Sequence, residues 1–297
     1  MKKYALLVIL LAGICLLFCF SEKDYRIYNT KSQKYVSLTK LVNEVQKADV
    51  LFFGELHDDA LIHELEYQLL KEMFKKNKKT AVSMEMFERD TQPVIDGYFS
   101  GKITESDFIL RSRAWPNYMT DYKPIVEYTK SMKIPLISAN VPRYLASLVS
   151  KKGLSILDSL STEEKKWVAG KVHNPNGLYK EKFFAVMNLN MSMGPNHTMM
   201  NDTVMENLFN AQCVKDDTMA ESIMNFLKNN PGYRVIHYNG DFHSQWHLGT
   251  VERLDSGIKS VVISPLVKNP GEELSIAPED DLSIADYILI QYRHQNN

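Results

Sequence analysis

The run Val50-Leu51-Phe52-Phe53 contains no polar residue. A strand made from it has no face for water, so both faces must be covered, as in a parallel sheet with helices on either side. The run stops at Gly54. A helical pattern follows over about 58–77, with Leu61, Leu65, Leu69 and Met73 at four-residue spacing and lysines crowding the last turn. The same strand–turn–helix rhythm recurs. Further strands are expected at Thr80–Met84, Ile134–Ala139, Arg234–Tyr238, Lys259–Ser264 and Tyr287–Gln291, behind a leading hairpin in 22–40. Helices are expected over 88–99, 104–113 and 120–133. Strands separated by helices pair in parallel through right-handed crossovers. The expected fold is therefore α/β: a mainly parallel sheet flanked by helices. The stretch of about 142–230 offers no strand, has a capping-box pattern at Ser161–Glu164 and is periodic over 201–229. It reads as a helical insertion subdomain within a single domain spanning 22–297.

Residues 1–21 read as an export signal. Lys2 and Lys3 precede an apolar run from Tyr4 to Phe20, which is short for a bilayer span. Leu16 and Cys19 form a loose lipobox with a bulky Phe18, so a lipid-anchored envelope protein is expected, with cleavage after Ser21 or an uncleaved anchor as alternatives. Cys15 and Cys19 fall in this segment, and Cys213 is then the lone thiol of the body. It can form no internal disulfide, and Cys-based zinc or iron–sulfur sites are excluded. Net charge is -1, which argues against nucleic acid as a partner. No Gly-x-Ser-x-Gly elbow, phosphate loop or dinucleotide fingerprint is present.

Ligands of open α/β sheets bind beyond the carboxyl ends of the strands. Four expected strands end there in polar groups: Gly54-Glu55-Leu56-His57, Glu85 to Arg89, Asn140 to Arg143, and Gly240-Asp241-Phe242-His243. A sharp exit from a strand calls for glycine, either for positive φ or for close backbone approach. Two Gly-x-x-His turns on neighbouring strands would aim His57 and His243 into one crevice, beside Glu55, Glu85 and Asp241. Two histidines and two carboxylates suit a divalent metal held by His57, His243, Glu85 and Glu55. They equally suit a catalytic His57 or His243 that activates water with Glu55 or Glu85 orienting it. His63, His237 and His247 lack such context and read as packed or solvated. Trp115-Pro116-Asn117-Tyr118 with Tyr122 reads first as packing, or as a phenol facing a flat ligand or iron. The Met-rich tract from Met187 to Met200 around His197 reads first as packing, or as an apolar ligand lining.

Taken together, Phe53–Asp58, Met84–Arg89 with Gln92, Trp115–Tyr118 with Tyr122, and Asn239–His243 resemble the ChaN-like haem-binding lipoproteins, over roughly 45–265. The paired turns are similar to those of a wider group that includes erythromycin-esterase-like hydrolases and Tiki-type metal-dependent proteases. The resemblance implies haem as cofactor, a role in iron uptake at the cell envelope, and a homodimer holding two stacked haems. It implies a tyrosine oxygen on each iron, with Tyr118 and Tyr122 in the matching motif, and a histidine on the propionates, for which His243, His57 and His197 are candidates. Arg89 joins this cofactor-binding set. A metal- or His/Glu-dependent hydrolase is the alternative.

Overall fold

The computed structural model describes residues 24–193 and 201–294, with side chains from 190 to 193 left out. The export segment with Cys19, and His197 with Met199 and Met200, lie outside the described residues. The strands are β1 (Tyr25–Asn29), β2 (Lys34–Val36), β3 (Val50–Glu55), β4 (Thr80–Glu88), β5 (Leu136–Asn140), β6 (Arg234–Gly240), β7 (Ser260–Lys268) and β8 (Tyr287–Tyr292). The helices are α1 (Leu38–Glu44), α2 (Ala60–Lys76), α3 (Gln92–Phe99), α4 (Glu105–Arg111), α5 (Lys123–Ser131), α6 (Arg143–Lys152), α7 (Leu178–Met193) and α8 (Asp202–Asn229).

They build one sheet in the order β2-β1-β8-β7-β3-β6-β4-β5. From β8 to β5 every pairing is parallel, and the leading hairpin adds to β8 antiparallel. The central pair β3 and β6 is in register with Gly54 opposite Asn239 and Glu55 opposite Gly240. This register brings the two Gly-x-x-His turns side by side.

The apolar strands alternate between two cores. Phe53, Met84 and Tyr238 face one core with Leu61, Leu65 and Leu69 of α2 and Ile125 and Val126 of α5. Phe52, Ala81, Val235 and Val262 face the other with Ile223 of α8. α8 lies in the stretch expected as an insertion, and its second half closes this face of the sheet. Its first half packs through Ala211 and Val214 on Leu145, Ala146 and Val149 of α6. The Ser161 and Glu164 capping box forms, at the start of a short 3-10 turn.

Two local features differ from expectation. β4 runs on to Glu88 instead of stopping at Met84, because the register shifts by a bulge between those residues. A bulge bends the strand and re-aims its side chains. Tyr118–Tyr122 forms a single π turn ahead of α5. α2 begins with Asp59 as N-cap, its Oδ1 accepting from the Leu61 and Ile62 amides. Asp59 Oδ2 also accepts from Gln291 Nε2 and the His294 amide, each at 3.1 Å.

Gly54 is required by close approach, since its φ is not positive. A Cβ there would lie 3.0 Å from the Asp241 Cα and closer still to its carboxylate. Gly54→Ala is expected to destabilise the fold by about 2–3 kcal/mol through overpacking, read as a lower denaturant midpoint with an unchanged m-value.

Candidate functional site

The two histidine turns converge on Glu85. His57, between β3 and α2, hydrogen-bonds through Nδ1 to Glu55 Oε1 at 2.7 Å. The same oxygen accepts from the Tyr122 hydroxyl at 2.6 Å. The imidazole then projects over Gly240, where a Cβ would meet its Nε2 at 2.7 Å and Glu85 Oε2 at 3.5 Å. Gly240 therefore leaves the space that His57 fills. Glu85 Oε2 accepts from the Gly240 amide at 2.7 Å, and Oε1 lies 3.2 Å from His243 Nε2. Asp216 of α8 takes the other ring nitrogen of His243, Nδ1, at 2.6 Å. Asp216 is itself held by the Thr250 hydroxyl at 2.9 Å and the Tyr179 hydroxyl at 2.6 Å.

Trp115 packs edge-on against the His57 ring, with centroids 4.9 Å apart. Asn117 Nδ2 donates to the His57 carbonyl at 2.7 Å. The His57 side chain is 44% exposed, whereas His243, Glu85 and Asp216 are buried. The site is thus a buried ion-pair network with one imidazole at its mouth.

Burial alone would strip charge from these groups. Their pairing reverses that. Burial pushes His243 down, but the Glu85 and Asp216 carboxylates outweigh it and raise its pKa to about 9. His57 is raised too, its burial offset by the Glu55 hydrogen bond and by the charges of Glu55 and Glu85. Burial works against the charge of Glu85, yet His243 and then His57 hold its carboxyl well below the usual range. Glu55 is lowered in the same way by His57 and His63. His243, at about 9, is an imidazolium at neutral pH, and the His57 ring is shifted in the same direction. A protonated ring can give up a proton but cannot accept one as a general base.

Most of the ligand atoms of the four residues expected to hold a divalent metal are taken up within the network. Both ring nitrogens of His243 face carboxylates, and His57 Nδ1 faces Glu55. A metal ligand must offer a lone pair, and His243 as arranged offers none.

Several other expectations change in place. Tyr118 and Tyr122 are 2% and 1% exposed, and the Tyr122 hydroxyl is taken by Glu55. As folded, neither phenol opens to a ligand outside. The Trp-Tyr motif instead forms the wall behind His57. Arg89 is tied to α8 through Glu221, Ser222 and the Thr218 carbonyl, so its guanidinium is a brace between β4 and α8 rather than a contact for a ligand. Asp241 turns under Gly54 to the Ser264 hydroxyl at 2.9 Å, away from the histidine pair, and burial raises it to about 7. His237 is core-packed and kept neutral by burial, at about 4. His63 is buried as well, but in contact with Glu66.

Asp216, Tyr179 and Thr250 were not singled out from the sequence. One signal was available: Asp216 and Asp217 interrupt the apolar face of α8 between Val214 and Met219. Acidic residues on a buried helix face need partners.

The model of the haem-binding uptake family (ChaN, Tiki superfamily) matches residues 41–254. Comparison with curated protein sequences returns no match. Among solved structures, the chain is similar to ChaN of Campylobacter jejuni, described with cofacial haem binding. The two share 20% identity with a TM-score of 0.66, over 90% of this chain and 97% of that one. It is also similar to the type III effector HopBA1, with 9% identity, a TM-score of 0.50, and 87% and 94% coverage. A third likeness is to erythromycin esterase EreC in its open conformation, with 12% identity, a TM-score of 0.46, and 91% and 83% coverage.

The network sets a pH window for stability. His243 at about 9 and His63 at about 10 stand above the ordinary 6.5. Their contribution is whole below pH 6.5 and is lost as pH rises through 9 and then 10. Glu85, depressed below 4.5, contributes above that value and is lost on acidification. The melting temperature is expected to fall by roughly 5–10 °C between pH 7 and pH 10.5. In His243→Gln this alkaline loss is expected to shrink, as measured by calorimetry across the pH series.

Proposed function

Because the chain belongs to the haem-binding uptake family of ChaN, in the Tiki superfamily, we propose that it binds haem at the mouth of this network. The observation that carries the reading is the placement of His57. It is a half-exposed imidazole held by Glu55 and flanked by Trp115, and the Glu55 and Glu85 carboxylates favour its protonated form. A haem has an apolar plane and two carboxylates. Trp115, Pro116 and Met119 supply an apolar platform beside His57, with Met119 56% exposed. The His57 imidazolium supplies a charge-assisted hydrogen bond to a propionate.

Haem brings a ferric centre that takes a hard oxygen donor. Tyr118 and Tyr122 are enclosed, so we assign that role to Tyr144, which is 45% exposed on the first turn of α6. Its hydroxyl reaches Glu164 at 3.1 Å, and it feels the charges of Asp90 and Arg113 on the same rim. Export to the cell envelope, a lipid anchor at Cys19, delivery of iron, and a dimer that stacks two haems belong to the same proposal. They are supported by the signal-like residues 1–21 and by family membership.

A hemin titration of residues 22–297, followed by its Soret band, tests the assignment. His57→Ala is expected to weaken binding by roughly 10- to 100-fold. Tyr144→Phe is expected to change the spectrum, and Tyr122→Phe to leave it as it is. A spectrum that responds to Tyr122→Phe and ignores Tyr144→Phe would return the ligand role to the motif. No Soret shift at micromolar hemin would remove the haem reading.

A further inference from the structure

Behind His57 lies a second cluster that the haem reading does not use. Glu55, His63 and Glu66 are all buried, and their nearest ligand-type atoms lie within 4.8 Å of one another. His63 donates through Nδ1 to Glu66 Oε2 at 2.9 Å and through Nε2 to the His57 carbonyl at 3.2 Å. With both nitrogens donating, it is a cation. Glu55 Oε1 is filled by His57 and Tyr122. The other two carboxyl oxygens, Glu55 Oε2 and Glu66 Oε1, are buried with no hydrogen-bond donor.

Two acceptor-only oxygens cannot be left unpaired in an apolar interior without a large penalty. A proton, a cation or another hydrogen-bond donor must satisfy them. A metal ion would need a lone pair from His63, whose nitrogens are both occupied. A proton needs no ligand beyond the two oxygens. We propose that Glu66 is a neutral carboxylic acid that donates its proton to Glu55, and is the positioning residue that keeps Glu55 anionic under His57.

The surroundings agree. Burial and then the Glu55 charge push the Glu66 carboxyl well upward, against the pull of His63. The groups packed on it are Glu55 from β3, His63 from its own helix, and Tyr238 from β6, whose hydroxyl donates to the Glu66 carbonyl at 3.0 Å. Asp121 of the π turn faces His63 at 3.8 Å, so the imidazolium keeps a counter-charge when Glu66 is neutral. With Glu66 protonated, Glu55 accepts from His57, Tyr122 and Glu66 together. Three donors on one carboxylate favour its charged form, and that charge in turn holds His57 as a cation. The link from His57 to a propionate rests on the haem reading; the shared proton does not.

Infrared spectroscopy of the unliganded protein tests it directly. At pH 8.5, where Asp241 has ionised, a protonated-carboxyl C=O band is expected and should vanish in Glu66→Gln. Gln can give the same hydrogen bond, so Glu66→Gln is expected to keep the wild-type melting temperature and the His57 pKa read by NMR. Glu66→Leu keeps bulk but has no donor. It should lower the melting temperature and drop the His57 pKa by about one unit or more. Absence of the band in the wild type overturns the proposal. So does a Glu66→Gln variant as impaired as Glu66→Leu, or a stoichiometric divalent ion that is lost in Glu66→Gln. If the band is present and hemin does not bind, the haem reading fails and the shared proton stands.

Discussion

The site depends on one carboxylate. Glu55 ends the central strand β3 and is wholly buried, and it accepts from His57 on one side and Tyr122 on another. An isolated carboxylate there would cost far more than a domain can spare. Its presence compels the cations and hydroxyls around it. The Tyr122 phenol, the π turn that carries it and the imidazole of His57 are all positioned by that demand. The same holds two strands away on β4, where Glu85 is matched by His243, and His243 by Asp216. Charge compensation, more than shape, decides where these side chains point.

Much of this was legible in the sequence. Uninterrupted apolar runs such as Val50–Phe53 announce strands covered on both faces, and all six expected parallel strands occur. The Gly-x-x-His pairs announced that the two turns lie side by side, because their glycines mark close approach at neighbouring strand ends. What could not be read was which partner each polar group would choose. Asp216 lies 27 residues before His243 on another element, and α8 delivers it only after docking on the sheet. Tyr118 and Tyr122 carry a motif signature, yet their burial depends on how the π turn folds against α2. Arg89 likewise follows a strand end that the bulge of β4 redirects toward α8.

Ion-pair networks of this kind also shape what the site can do. Imidazoles held protonated by carboxylates make a poor general base. The apolar surface of Trp115, Pro116 and Met119 beside a cation suits an amphiphilic ring with acidic arms. On the haem proposal, the buried network behind His57 favours the charge that a propionate would meet.

The cap on α2 has a consequence for how the molecule is made. Asp59 sets the start of the helix that carries His63 and Glu66, and its outer oxygen is bound by Gln291 and the His294 amide. Those two residues lie more than 200 positions after Asp59. Until β8 pairs into the sheet, the first turn of α2 lacks this tether. The charged cluster is thus closed only by the last strand, and a chain truncated short of it would hold its histidines in a looser, wetter setting.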